Sequence, residues 1–127
     1  MEYTILIIMI ALAQFLYFTA RVGLNRGKLG VNAPHTTGND LWERMYRVQQ
    51  NTLEQLIIFI PSMLVFSTYT SGRWVLIPGV LFLLGRQLYS HEYINDPASR
   101  TPGMALSLLC NIVLVGGALI GLLLKFF

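Results

Sequence analysis

The sequence predicts an all-α fold, an integral-membrane four-helix bundle forming one domain over residues 1–127. Two observations carry this reading. Hydrophobic residues make up 54% of the chain and charged residues only 12%, against about 25% charged in ordinary soluble domains. The apolar residues also fall into four runs separated by polar connections, and the mean hydropathy is +0.58. Disorder is excluded, because too few charges are present to keep such a chain solvated. The single cysteine, Cys110, excludes a disulfide scaffold. The net charge of +3 is too small and too scattered to track a nucleic-acid backbone.

The first span runs from about residue 3 to 21, broken only by Thr4, Gln14 and Thr19. A bilayer core needs about 20 helical residues, so this run suffices. It does not resemble a cleaved leader: Met1-Glu2 lacks a basic start, and the apolar run continues past Ala11-Leu12-Ala13. A long polar loop is expected from Arg21 to Asp40. Asp40-Leu41-Trp42-Glu43 then reads as a capping box with Asp40 as the cap.

The second and third apolar runs are too short to cross alone. Leu56 to Phe66 covers only about 16 Å, and Trp74 to Gly85 about 18 Å. Both must extend into polar sequence, giving spans of about 43–67 and 74–93. Pro61 and Pro78 lie within them, where a bundle tolerates kinks. Thr101-Pro102 reads as a cap followed by proline in the first turn of the last span, about 102–125. Loops one and three hold or border Arg21, Arg26, Lys28, Arg44 and Arg100, against Arg73 and Lys125 on the other side. The positive-inside rule therefore places those loops in the cytoplasm and both termini outside.

Extending span two draws charge to membrane depth. At about 100° per residue, Glu43, Arg44, Arg47, Gln50, Asn51 and Glu54 share one stripe about 15 Å long. On span three, Arg86, Tyr89 and Tyr93 also share a face, and Arg100 follows at the same membrane end. Charges at this depth face a bundle interior or a wet cavity. Arginine pairs with carboxylates in a bidentate way, and Glu54 can hold an ammonium. A ligand with two carboxylates, an ammonium and peptide groups, such as glutathione, suits this inventory. A single Arg–Glu pair bridged by Asn51 would read better as a structural network. The excess of arginine over carboxylate favours an anionic ligand instead.

Glu43-Arg44-x-x-Arg47-x-Gln49-x-Asn51-x-x-Glu54 resembles the E-R-x-x-R-x-Q-x-N-x-x-E signature of the MAPEG family of membrane proteins in eicosanoid and glutathione metabolism. That family includes microsomal glutathione transferases and leukotriene C synthase. Gly85-Arg86-x-x-Tyr89-x-x-x-Tyr93 followed by Arg100 is similar to its second conserved block. The resemblance covers essentially the whole chain, and Arg21-Val22-Gly23 and Asn95-Asp96-Pro97-x-x-Arg100 look most like bacterial members. It implies a homotrimer in a membrane, a bacterial inner membrane if the source is bacterial, with glutathione bound between subunits. Arg47, Asn51, Glu54, Arg86, Tyr89 and Tyr93 would bind glutathione from one subunit, and Arg21, Gln49 and Arg100 from its neighbour. Arg100 would stabilise the thiolate. The implied activity is a detoxifying glutathione transferase or peroxidase acting on lipophilic electrophiles or lipid hydroperoxides.

Two positions depart from leukotriene C synthase. Gln55 stands where that enzyme has a tyrosine, and its second loop-one arginine has only Arg26 and Lys28 as loose matches. Both weaken a leukotriene role. A non-catalytic lipid-binding or scaffold protein of the same fold is the alternative, with a small transporter ranked third. Cys110 reads as a packing residue, His91 as a lone titratable group, Tyr89 and Tyr93 equally as an interfacial belt, and Glu43 and Arg44 as a cap and an inter-subunit pair. No metal site and no nucleic-acid partner are expected.

Overall fold

The computed structural model describes all 127 residues and is built of four α-helices: α1 (Glu2–Leu29), α2 (Asp40–Tyr69), α3 (Leu76–Asn95) and α4 (Thr101–Leu123). A single 3-10 turn, Pro97–Ser99, joins the last two. The helices run up and down in sequence. Thr4 meets Ser67 at one end of the α1–α2 pair, and the Trp42 indole N–H donates to the Val22 carbonyl at the other. The most extensive packing is α3 on α4, α2 on α4 and α1 on α2.

The core is apolar and central. Ile7, Ala11, Phe59, Met63, Phe82 and Leu114 lie within it, and the Phe59 and Phe82 rings stack at 3.9 Å between centroids. Cys110 belongs to the same cluster. Only 29 of the 127 residues are buried, so the outer surface is largely apolar side chains, among them Leu16, Ile57, Leu84, Ile112 and Ile120. Apolar exposure on that scale is unsuited to water and matches a hydrocarbon solvent. α1, α2 and the segment Pro97–Leu123 are long and apolar enough to cross a membrane. α3 is not among them. Its 20 residues reach about 30 Å, but its second half carries Arg86, Gln87, Tyr89, Ser90, His91 and Glu92.

Four local expectations are corrected. The loop expected from Arg21 begins instead at Gly30, because α1 continues through Gly23 and Gly27 to Leu29. Gly30 ends the helix in the left-handed region at φ 73°, its N–H donating to the Arg26 carbonyl. The cap of α2 is Asn39, not Asp40: Asn39 Oδ1 accepts from the Trp42 N–H at 3.0 Å, while Glu43 accepts from the Gly38 N–H. Asp40 falls in the first turn, where its charge suits the helix dipole. Thr101 likewise lies inside α4, whose cap position is Arg100. Pro78 sits in the first turn of α3, where no intrahelical N–H is needed and no kink follows. Pro61 stays inside the continuous helix α2.

Candidate functional site

The site is built where α3 and α4 come closest. A methyl group on Gly103 would strike the backbone of Tyr89, and one on Gly85 would lie 2.9 Å from Ser107 Oγ. Two glycines therefore let the helices touch at this level, as small residues do in membrane bundles. The contact places Ser107 against the side chain of Arg86.

Arg86 is fully buried, at 0% exposure. Its Nε donates to Ser107 Oγ at 3.0 Å, and Ser107 passes the chain on to the Gly103 carbonyl at 2.8 Å. Its Nη1 donates to Asn51 Oδ1 at 2.6 Å and more weakly to Thr52 Oγ1 at 3.4 Å. Its Nη2 is buried without a partner. Every partner is neutral, so the guanidinium charge has no counter-ion within these contacts. Its plane lies over the Tyr89 ring, 4.6 Å from the centroid, which offsets part of that cost by cation–π attraction.

A row of contacts leads from Arg86 toward the polar end. The Tyr89 and Tyr93 rings stack at 5.5 Å, and the Arg100 guanidinium lies 6.0 Å from the Tyr93 ring centre. Arg100 is exposed and is steadied by one bond to the Pro97 carbonyl at 3.1 Å. Phe18 of α1 and Val48 of α2 pack against Tyr89 and hold the row from behind.

The structure thus joins Asn51, Arg86, Tyr89, Tyr93 and Arg100 in one chain of contacts. Arg47 and Glu54 sit on the exposed face of α2 beside it. Asn51, the bridge a structural network between them would need, is committed to Arg86. Gln49 lies apart, donating to Thr19 Oγ1 at 3.1 Å. Arg21 also lies apart: its guanidinium packs on the Tyr17 and Phe18 rings in a cleft of about 190 Å³ between α1 and α3, and its buried Nε and Nη2 lack partners. Arg44 ties α2 to the end of α3 through the Ile94 carbonyl at 3.0 Å. Ser107, Thr52 and Gly103 were not singled out in the sequence. The Gly103-x-x-x-Ser107 spacing was the available signal, since it marks a close helix contact.

Beside Arg100, between α2 and α4, a cleft of about 310 Å³ is lined by Gln55, Thr101, Met104, Ala105 and Leu108 as well as Arg100 itself. A cation in a cleft also lined by Met104, Ala105 and Leu108 can hold an anion beside apolar side chains.

The chain is similar to known proteins over most of its length. The MAPEG family model matches residues 4–120. An uncharacterised protein of the cyanobacterium Synechocystis is 44% identical over 115 residues, covering 89% of this chain and 84% of that one. Human microsomal glutathione S-transferase 2 is 35% identical over 92 residues, 72% of this chain and 63% of that protein's length. Bovine leukotriene C4 synthase is 29% identical over 110 residues, 87% and 73% of the two chains. With the match running over nearly the whole chain and through both polar blocks, this all-helical membrane protein belongs to the MAPEG family.

Proposed function

We propose that the protein is a membrane-bound glutathione transferase, with peroxidase activity on lipid hydroperoxides open to the same thiolate. The observation that carries this is Arg86, a buried guanidinium bonded only to neutral groups at the head of the row Tyr89, Tyr93, Arg100. An uncompensated cation inside a bundle needs an anion, and glutathione supplies two carboxylates and a thiol. The exposed Arg47 receives its carboxylates, with the buried Arg86 adding positive potential and holding Asn51 in place behind it, Glu54 holds its ammonium, and Tyr89 and Tyr93 flank its peptide. Gln49 and Arg100 belong to the site as residues lent between subunits of a homotrimer. Arg21 joins them from the neighbouring subunit, its buried Nε and Nη2 having no partner within its own chain.

Arg100 then does the chemical work. A free thiol has a pKa near 8.5, so only a few per cent is thiolate at pH 7. Each unit of lowering takes about 1.4 kcal/mol of preference for the anion, which a nearby guanidinium supplies while staying charged. The electrophile arrives from the lipid side through the cleft beside Arg100. The polar loops one and three face the cytoplasm, where glutathione is supplied.

The test is the ultraviolet absorbance of thiolate on mixing glutathione with the purified protein at slightly acid pH. The native protein forms thiolate, and Arg100→Ala reduces its fraction by about tenfold, the equivalent of about 1.4 kcal/mol. Absence of both thiolate and glutathione binding in the native protein overturns the enzyme reading and leaves the scaffold alternative.

A further inference from the structure

Arg100 occupies the cap position of α4. The start of a helix leaves backbone N–H groups without intrahelical partners. Ser, Thr, Asp or Asn at the cap ordinarily accepts from the second or third N–H of the helix. Arginine cannot do this, because its guanidinium carries five donors and no acceptor, and no side-chain bond from position 100 caps α4. The second helical residue is Pro102, which has no N–H, so the group left for a cap is the N–H of Gly103. It donates to Glu92 Oε1 at 3.2 Å. The acceptor therefore comes from α3, eleven residues earlier, and a carboxylate suits the positive end of the helix dipole.

Glu92 also holds the chain on the other side of Arg100. Its backbone carbonyl accepts from the Asp96 N–H at 2.8 Å and from Ser99 Oγ at 3.3 Å, and Ser99 Oγ lies 2.8 Å from the Asp96 carbonyl as well. The Arg100 backbone thus sits between two ties to one residue, Ser99 before it and Gly103 after it. Its guanidinium has a single bond, to the Pro97 carbonyl, so where it stands follows from where this turn is held. We propose that Glu92 is the positioning residue of Arg100. By capping α4 from α3, it lets position 100 carry a cation where a capping side chain would otherwise stand, and it fixes that cation at the end of the Tyr89–Tyr93 row. This rests on the transferase reading above and adds to it a residue that acts through Arg100 rather than on glutathione. Loosening the first turn of α4 spreads the guanidinium over more positions, and the preference for the thiolate falls.

The test is a pH titration of the thiol of bound glutathione, followed by ultraviolet absorbance in the detergent-purified protein, with a thermal melt on the same preparation. Glu92→Ala lowers the thiolate fraction at slightly acid pH by about fivefold, the shift that loss of a cap brings to a local equilibrium. Glu92→Gln, which keeps the Oε1 acceptor, retains most of the native fraction. In an Arg100→Ala background Glu92→Ala lowers the fraction no further, because a positioning residue and the residue it positions act as one unit. A lower melting temperature with an unchanged thiol titration in Glu92→Ala makes Glu92 a structural cap only and overturns the proposal. A further loss of thiolate in the Arg100→Ala background overturns it too. If Glu92→Ala does not fold, Ser99→Ala, which removes one of the two ties, shifts the titration in the same direction, and an unchanged titration there overturns the proposal. A native protein that binds no glutathione and forms no thiolate removes the transferase reading and this assignment with it, a result distinct from native thiolate that Glu92→Ala leaves untouched.

Discussion

Arg86 separates binding from stability, because the same side chain serves one and burdens the other. Its buried Nη2 has no partner and its bonded partners are neutral, so its charge is carried into the bundle uncompensated. Removing a buried charge that has no counter-ion relieves a desolvation cost larger than the net worth of its bonds to Ser107 and Asn51. Arg86→Met is therefore expected to lower glutathione affinity at least about tenfold while holding or raising the melting temperature in detergent. Titration calorimetry and a thermal melt on the same preparation check the two signs. The sequence made Arg86 legible, because an arginine three and seven residues before two tyrosines marks a polar face in an apolar run. It did not make Ser107 or Thr52 legible, because a small hydroxyl in an apolar helix looks the same whether it meets a guanidinium or its own backbone. Glu92 was passed over for a similar reason: its partner Gly103 lies eleven positions away, and only the turn between α3 and α4 brings them together.

At the scale of the helix, existence was readable and boundaries were not. Four apolar runs and the need to reach about 20 residues were enough to extend α2 and α3 into polar sequence. The cap of α2 was misplaced by one residue because Asn39 and Asp40 are both good capping types, and only the bond from the Trp42 N–H distinguishes them. Asn39→Ala is expected to cost about 1 kcal/mol, against a smaller loss for Asp40→Ala, measured by chemical denaturation in detergent. The α3–α4 contact is less forgiving. A methyl on Gly103 meets the Tyr89 backbone rather than a movable side chain, so the helices themselves must separate. Gly103→Ala is expected to destabilise by about 1–3 kcal/mol and to weaken glutathione binding through displacement of Tyr89, read by the same thermal melt and calorimetry.

The whole molecule turns apolar side chains outward, and its polar site opens at one end of a single subunit. The proposed function requires a homotrimer that brings Gln49 and Arg100 of one copy to the glutathione bound on another. Light scattering on the detergent-corrected particle is expected to give about three times the 14.3 kDa of one chain, and a monomeric mass with full activity would refute the shared site. Neither the apolar surface nor the trimer can be apportioned from the sequence, because a side chain facing lipid and one facing another subunit are chosen for the same apolarity.

The close seating of Gly85 and Gly103 also bears on how the protein is made. α3 is the one helix of the four not apolar enough to be counted as a span by itself, yet it carries the central arginine. A nascent chain that ended before α4 would present Arg86 to lipid with no Ser107 to receive it. α3 is therefore expected to settle only after α4 has been synthesised, the two entering as a hairpin. A chain truncated after residue 99 should leave a cysteine introduced on α3 open to a water-soluble maleimide that the full chain excludes. The two glycines that shape the finished site would then also be the clasp that brings its arginine into the membrane.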